Sequence, residues 1–218
     1  ILLDCGGYWD LGLATDITRV FAPFGATYKQ KKVYTQVLKA QIKAYLEKSN
    51  KPYILDKVAR EYLESVAPEG FEFSHALGHG IGQSVHQHPP TLSPRTPQDF
   101  ELLPNMVFSI EPGLYKEGEF GIRLENSCYL DENGVKTTLS KFPYERNLID
   151  YDMLDDIEKE YLESEKYQKH QQFYPWNHEF LSCVRIIQPG RWDYLYPTSF
   201  YYPEDMLCVL FSFRNDSA

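Results

Sequence analysis

Apolar and polar positions recur along this chain in patterns that mark its elements. The opening "ILLDCGGYWDLGLATDITRV" (1–20) carries short apolar runs on either side of a Gly-rich connection. It predicts two short strands joined as a hairpin, with Gly6, Gly7 and Gly12 giving the turn its freedom. From Gln30 to Ser49 the residues Val33, Val37, Leu38, Ile42, Tyr45 and Leu46 return at helical spacing. "NKP" breaks that helix. A second follows, with Ile54, Val58, Tyr62 and Val66 on one stripe, Leu55, Ala59 and Leu63 beside it, and "PEG" (68–70) as its end. A His- and Gly-rich segment and a loop from Pro89 to Pro97 come next. Then "NMVFSIEPGLY" (105–115) and "FGIRLENSCYL" (120–130) each read as one buried strand. "DENG" (131–134) signals a turn into a return strand. Met153, Leu154, Ile157, Tyr161 and Leu162 predict a last helix over 151–170, within a C-terminal helical segment reaching 173. Strands and helices in this order predict an α+β fold.

Composition narrows the picture. A chain of 218 residues can bury one large core and leave room for an extension. Residues 174–218 are crowded with aromatics at no helical period; they read either as a strand-rich extension of unknown structure or as sequence out of its native frame. The net charge of -9 repels phosphate backbones and argues against a nucleic-acid partner. No apolar run reaches membrane-spanning length, so no membrane is expected. Cys5, Cys128, Cys183 and Cys208 are far apart, as reduced thiols of a cytoplasmic protein would be. The chain opens inside a strand and without Met, which predicts a fragment whose upstream part is missing.

The candidate chemistry lies where acidic side chains interrupt apolar strands: Asp4, Asp16, Glu111 and Glu125. Each has an ordinary reading alone. Asp4 could end a strand, Asp16 could cap a turn, Glu111 could be a strand-end charge, and Glu125 could pair with Arg123. Burying an ion costs several kcal/mol. A whole set of them, with "HALGHGIGQSVHQHPP" (75–90) between, calls for a shared positive partner. Two divalent cations would provide it. Such a hard, oxygen-rich site with one imidazole suits Mn, Co, Fe or Zn, in a pair roughly 3.5–4 Å apart. Water held between the ions would ionise near neutral pH and attack a carbonyl.

"DCGGYWDLGLATDITRVF", "HALGHGIGQSVH", "FSIEPGLY" and "GIRLEN" stand in the order found in the pita-bread metallopeptidases, and this chain resembles the aminopeptidase P and prolidase branch of that family. The resemblance covers about residues 1–150 and implies a partial pita-bread catalytic core, a curved, mostly antiparallel sheet with covering helices. It implies metal ligands at Asp4, Asp16, His79, Glu111 and Glu125, with Asp16 and Glu125 bridging two ions, manganese first and cobalt or zinc as alternatives. Glu111 would also exchange a proton with the attacking water. His75 and His86 would flank the scissile carbonyl, with Tyr115 near the substrate and Arg123 holding the bridging carboxylates. The implied substrates are peptides with proline second, cleaved before that proline, with an X-Pro dipeptidase as the alternative, and a homo-oligomer is allowed for. A pita-bread binding protein without catalysis is the rival from another class.

The "EPGLY" and R-x-E forms, and the 14-residue step from Glu111 to Glu125, favour the X-Pro aminopeptidase. The step of 12 from Asp4 to Asp16 is one residue longer than the family pattern and predicts a longer turn. Asp10 falls in that turn and is set aside as a ligand. His88, His170 and His178 read as surface residues, Trp9, Trp176 and Trp192 carry no role, and "DDIEKEYLESEK" reads as a solvated helix face.

Overall fold

A computed structural model describes residues 1–9 and 12–164. Asp10, the 174–218 segment, the end of the C-terminal helical segment, His170, His178, Trp176, Trp192, Cys183 and Cys208 lie outside the described residues.

β1 (Leu2–Tyr8) and β2 (Ala14–Val20) form the expected antiparallel hairpin. Its register sets Asp4 opposite Thr18 and Gly6 opposite Asp16. Facing residues and their second neighbours share a face, so the long step between the two aspartates still leaves both on one side. α1 (Tyr28–Leu46) starts two residues before the expected Gln30, because Thr27 and Gln30 form a capping box. α2 (Pro52–Val66) takes Pro52 into its first turn. Its stripes change places: Pro52, Leu55, Asp56, Ala59 and Leu63 are buried, whereas Ile54, Val58, Tyr62 and Val66 are half-buried at the border.

β3 (Gly78–His79) pairs with β4 (Thr91–Leu92). The two long strands expected at 105–115 and 120–130 are each broken. The first becomes β5 (Val107–Ile110) and β6 (Gly113–Lys116), the second β7 (Phe120–Arg123) and β8 (Asn126–Leu130). β5 pairs with β8, and β6 with β7, all antiparallel. Ile110 faces Asn126 on one side of the break and Gly113 faces Arg123 on the other. One step inward from each ladder therefore sets Glu111 against Glu125 and Pro112 against Leu124. The two ladders are one hairpin in one register, interrupted where its glutamates meet. β9 (Lys136–Thr138) adds the return strand to β8.

α1 lies behind these strands, with Val33, Tyr34, Val37, Leu38 and Ile42 fully buried. Two 3-10 turns (146–148 and 151–153) precede α3 (Asp156–Glu163), which Asp155 caps. The last helix thus begins five residues after the expected start. Its solvated face is also corrected: Glu158 is buried and paired with Lys39, while Ile157 is 65% exposed. Cys5 and Cys128 are free thiols. Among the described residues no helix is long and apolar enough to cross a membrane.

Candidate metal centre

The interrupted hairpin presents Glu111 and Glu125 side by side, and β2 brings Asp16 onto them. Thr18 anchors the approach: Glu125 N donates to Thr18 O at 3.1 Å, and Thr18 Oγ1 donates to Glu125 Oε2 at 2.9 Å. Ser127 Oγ donates to Asp16 O at 2.6 Å. The Arg19 guanidinium, buried behind this seam, donates to the carbonyls of Glu125 and Phe142 and to Asn126 Oδ1. β3 delivers His79. Its Nδ1 lies 3.0 Å from Gly80 O, and a carbonyl only accepts, so Nδ1 carries the proton. Nε2 then points at Glu111 Oε1 (3.2 Å) and Asp16 Oδ2 (3.6 Å). Ser109 ties the two elements together, accepting from His79 N and donating to Glu111 Oε1, both at 3.0 Å.

One ligand atom each of Asp16, His79 and Glu125 lie within 4.8 Å of one another. Glu111 adjoins this group through His79. Asp4 stands at the open rim, half exposed, with its carboxylate held by Arg123. Arg123 also donates to Tyr115 Oη (3.2 Å) and Thr18 Oγ1 (3.3 Å), and its Nε lies 3.7 Å from Glu111 Oε2. The expected ligand and Arg123 positions thus fall in one neighbourhood. Thr18 and Ser109, which fix the orientation of two carboxylates, are additions that the sequence reading missed.

The residues expected on the substrate side adjoin this group through Arg123 and His79. His75 Nδ1 donates to Ala76 O at 2.7 Å, so its Nε2 accepts the Tyr115 hydroxyl at 2.8 Å. A chain of donors runs from Arg123 through Tyr115 to His75, and burial holds the His75 imidazole below its usual range, hence neutral. Added Cβ atoms at Gly113 and Gly121 would lie 2.3 Å and 2.6 Å from the Tyr115 side chain, so this tyrosine fills a trough that only glycines leave open. The segment that carries His75 is clamped by α2: Arg60 pairs with the buried Asp56 and donates to Phe73 O and His75 O, while Asp56 accepts from Leu77 N. His86 is exposed, its ring centroid 4.1 Å from that of His79. His88 is on the surface, as expected.

The electrostatics favour a cation at this cluster. Glu125 is 1% exposed, and its Oε1 has no hydrogen-bond partner among the described residues. Burial, then Glu111 and Asp16, push its carboxyl well above the usual range. Burial, then Asp4 and Glu111, push Asp16 to about 6. Burial alone would raise Glu111 too, but hydrogen bonds from His79 and Ser109 outweigh it and hold the carboxyl below its usual range. Burial likewise opposes charge on His79, and the bond to Glu111 overcomes it. Like charges facing each other across a hairpin are unfavourable, and Arg123 alone cannot offset four carboxylates. An orphaned buried oxygen, an imidazole nitrogen turned toward the carboxylates and the crowding of those carboxylates fit a divalent cation.

A pH dependence follows with a definite sign. Asp16 binds its proton more tightly folded than unfolded. Its contribution to the stability of the metal-free chain is full below its ordinary value of 3.8 and is lost as pH rises through about 6. The metal-free chain should therefore melt lower at about pH 7 than at about pH 5. Manganese binding must displace these protons, so its affinity should climb over the same interval. Thermal melts in chelator and titration calorimetry at both pH values check the pair; a metal-free chain that gains stability with rising pH contradicts it.

Comparison with known proteins places the chain in a family. A probable Xaa-Pro aminopeptidase P of Sordaria macrospora is 36% identical over 180 residues, 74% of this chain and 28% of that protein. The chain thus spans less than a third of the length of such relatives. The X-Pro aminopeptidase of Thermotoga maritima superposes with TM-score 0.60 at 37% identity, over 66% of this chain and 40% of that one. The X-prolyl aminopeptidase of Caenorhabditis elegans, described as a cytosolic enzyme with a di-nuclear active site, gives 0.63 at 28% identity, over 74% and 28%. A prolidase of Pyrococcus furiosus gives 0.59 at 32%, over 65% and 41%. The α+β arrangement of antiparallel ladders backed by helices is part of the pita-bread fold of these neighbours. With a family model matching residues 1–132 as well, this chain belongs to metallopeptidase family M24.

Proposed function

We propose that this chain carries the metal-binding part of a cytosolic X-Pro aminopeptidase. The observation that carries the reading is the facing pair Glu111 and Glu125 closed by Asp16 and His79, a buried acidic cluster short of positive charge. Asp4, Asp16, His79, Glu111 and Glu125 would hold two divalent ions, manganese first. Two such ions, when bound, supply Lewis acidity for the peptide carbonyl and a nucleophile from water.

The protein groups divide the remaining work. Glu111, held by Ser109, would take a proton from the attacking water and return it to the departing proline nitrogen. Neutral His75 and exposed His86 flank the mouth, where a hydrogen bond from His86 would stabilise the developing oxyanion. Tyr115 orients His75 and lies on the substrate side. Arg123 holds Asp4 and Thr18 in place and steadies the acidic rim.

Elemental analysis paired with a peptide assay tests this. The manganese-loaded chain should cleave an X-Pro-X tripeptide and leave an X-Pro dipeptide largely intact. Preference for the dipeptide would favour the prolidase reading, which the Pyrococcus furiosus neighbour supports. Full loading with cleavage of neither would sink the enzyme reading for this chain.

A further inference from the structure

The break between the two ladders leaves a hydrogen-bonding problem. Antiparallel neighbours in a hydrogen-bonded pair exchange N–H···O bonds in both directions. At the Pro112–Leu124 pair, Leu124 N donates to Pro112 O at 3.3 Å. Proline has no N–H to return, so Leu124 O loses its ladder donor. Buried carbonyls need a partner. It comes from α1: Gln41, 1% exposed, donates its amide nitrogen to Leu124 O and to Ile110 O, each at 3.0 Å. Its own oxygen accepts the Tyr144 hydroxyl at 2.7 Å, and the two carbonyls, which can only accept, forbid the flipped amide.

Those two carbonyls belong to the peptide groups that lead into Glu111 and Glu125. The N–H ends of the same groups are bound as well, Glu111 N to Leu77 O at 2.8 Å and Glu125 N to Thr18 O at 3.1 Å. Each peptide plane is therefore held at both ends, and one side chain holds the carbonyl end of both. We infer that Gln41 is a positioning residue of the metal centre, setting the spacing of the Glu111 and Glu125 backbones from behind the sheet. It touches neither substrate nor metal. The inference rests on the metal-centre reading above.

Gln36 offers an internal control. It lies on the same helix, is equally buried, and donates to Val66 O at 2.7 Å on α2, away from the site. Gln41→Met and Gln36→Met each remove a buried amide donor and keep the length. Calorimetric titration of each full chain with Mn2+, with the visible spectrum of its Co2+-loaded form, reads the difference. Gln41→Met should weaken Mn2+ about 10-fold and shift the Co2+ bands, while Gln36→Met stays within about twofold with an unchanged spectrum. Wild-type affinity and spectrum in Gln41→Met would overturn the inference, and so would an equal loss in Gln36→Met. If Gln41→Met does not fold, Tyr144→Phe removes the hydroxyl that donates to the Gln41 amide oxygen and accepts from Asn126 Nδ2, with Asn126→Ala as the control for the second contact. Tyr144→Phe should weaken Mn2+ by about threefold with the same direction of spectral shift, and no change there overturns the inference. A wild-type chain that binds no Mn2+ removes the metal-centre reading itself, a failure visible before any variant is compared.

Discussion

Glu125→Gln should weaken manganese binding by about 100-fold or more while raising the melting temperature of the metal-free chain. The two effects have one cause. Glu125 faces Glu111 across the hairpin, lies against Asp16, and has an oxygen with no hydrogen-bond partner among the described residues. Without a cation its charge is a burden, and a neutral amide of the same shape relieves it. The gain should be about 1–2 kcal/mol at about pH 8, where charge on the cluster matters most. That is about 2–8 °C for a chain of this size. With manganese present the sign should reverse, because a carboxylate oxygen proposed to hold the ions is gone and binding no longer stabilises the fold. Melts in chelator and in excess Mn2+, with elemental analysis, separate the two. Full metal content in the variant would remove Glu125 from the ligand set, and a lower metal-free melting temperature would refute the charge argument.

Gly78→Ala should be strongly damaging to the site. The added methyl would stand 2.0 Å from Ser109 O and 2.8 Å from Ser109 C, both backbone atoms of β5. No rotamer change relieves such a clash, so β3 must move off β5. That movement takes His79 away from Glu111 and breaks the 3.0 Å bond from His79 N to Ser109. A cost of about 3 kcal/mol is expected, a fall of roughly 6–12 °C in melting temperature, with weaker manganese binding. Gly82→Ala is the matched comparison: its methyl would meet the movable Gln87 side chain at 3.0 Å, and the cost should be small. Equal melting temperatures for the two variants would show that the close approach at Gly78 is not needed. The glycine that precedes His79 thus answers to the close approach of a neighbouring strand.

Local pattern carried much of the fold. The first hairpin, both long helices, the glutamate hairpin and its return strand follow from spacing and turn residues, because those signals act over a few positions. The break at Glu111–Pro112 and Leu124–Glu125 did not show, since an apolar run looks the same whether its strand is continuous or pivots between two ladders. α3 started late because Met153 and Leu154 kept a helical rhythm inside a 3-10 turn. At the site, the acidic residues were conspicuous in their apolar surroundings, and the resemblance supplied their roles. Their supports were hidden by sequence distance: Thr18 reaches Glu125 across 107 positions and Gln41 reaches Leu124 across 83. A faint signal existed for Gln41, a polar residue on the face marked by Val37, Leu38 and Ile42. Nothing local said what it would bind.

The shared register also says where relatives can differ in length. Beyond Glu111 and Glu125 the hairpin closes through a three-residue turn at 117–119, with Gly118 at φ 70°. Residues added there in matched pairs lengthen both arms equally and leave Glu111 against Glu125. On the other side β8 is committed to β9 as well as β5, so a single insertion would shift several pairings at once. The tip is therefore the end at which the hairpin can grow while Glu111 and Glu125 stay in step.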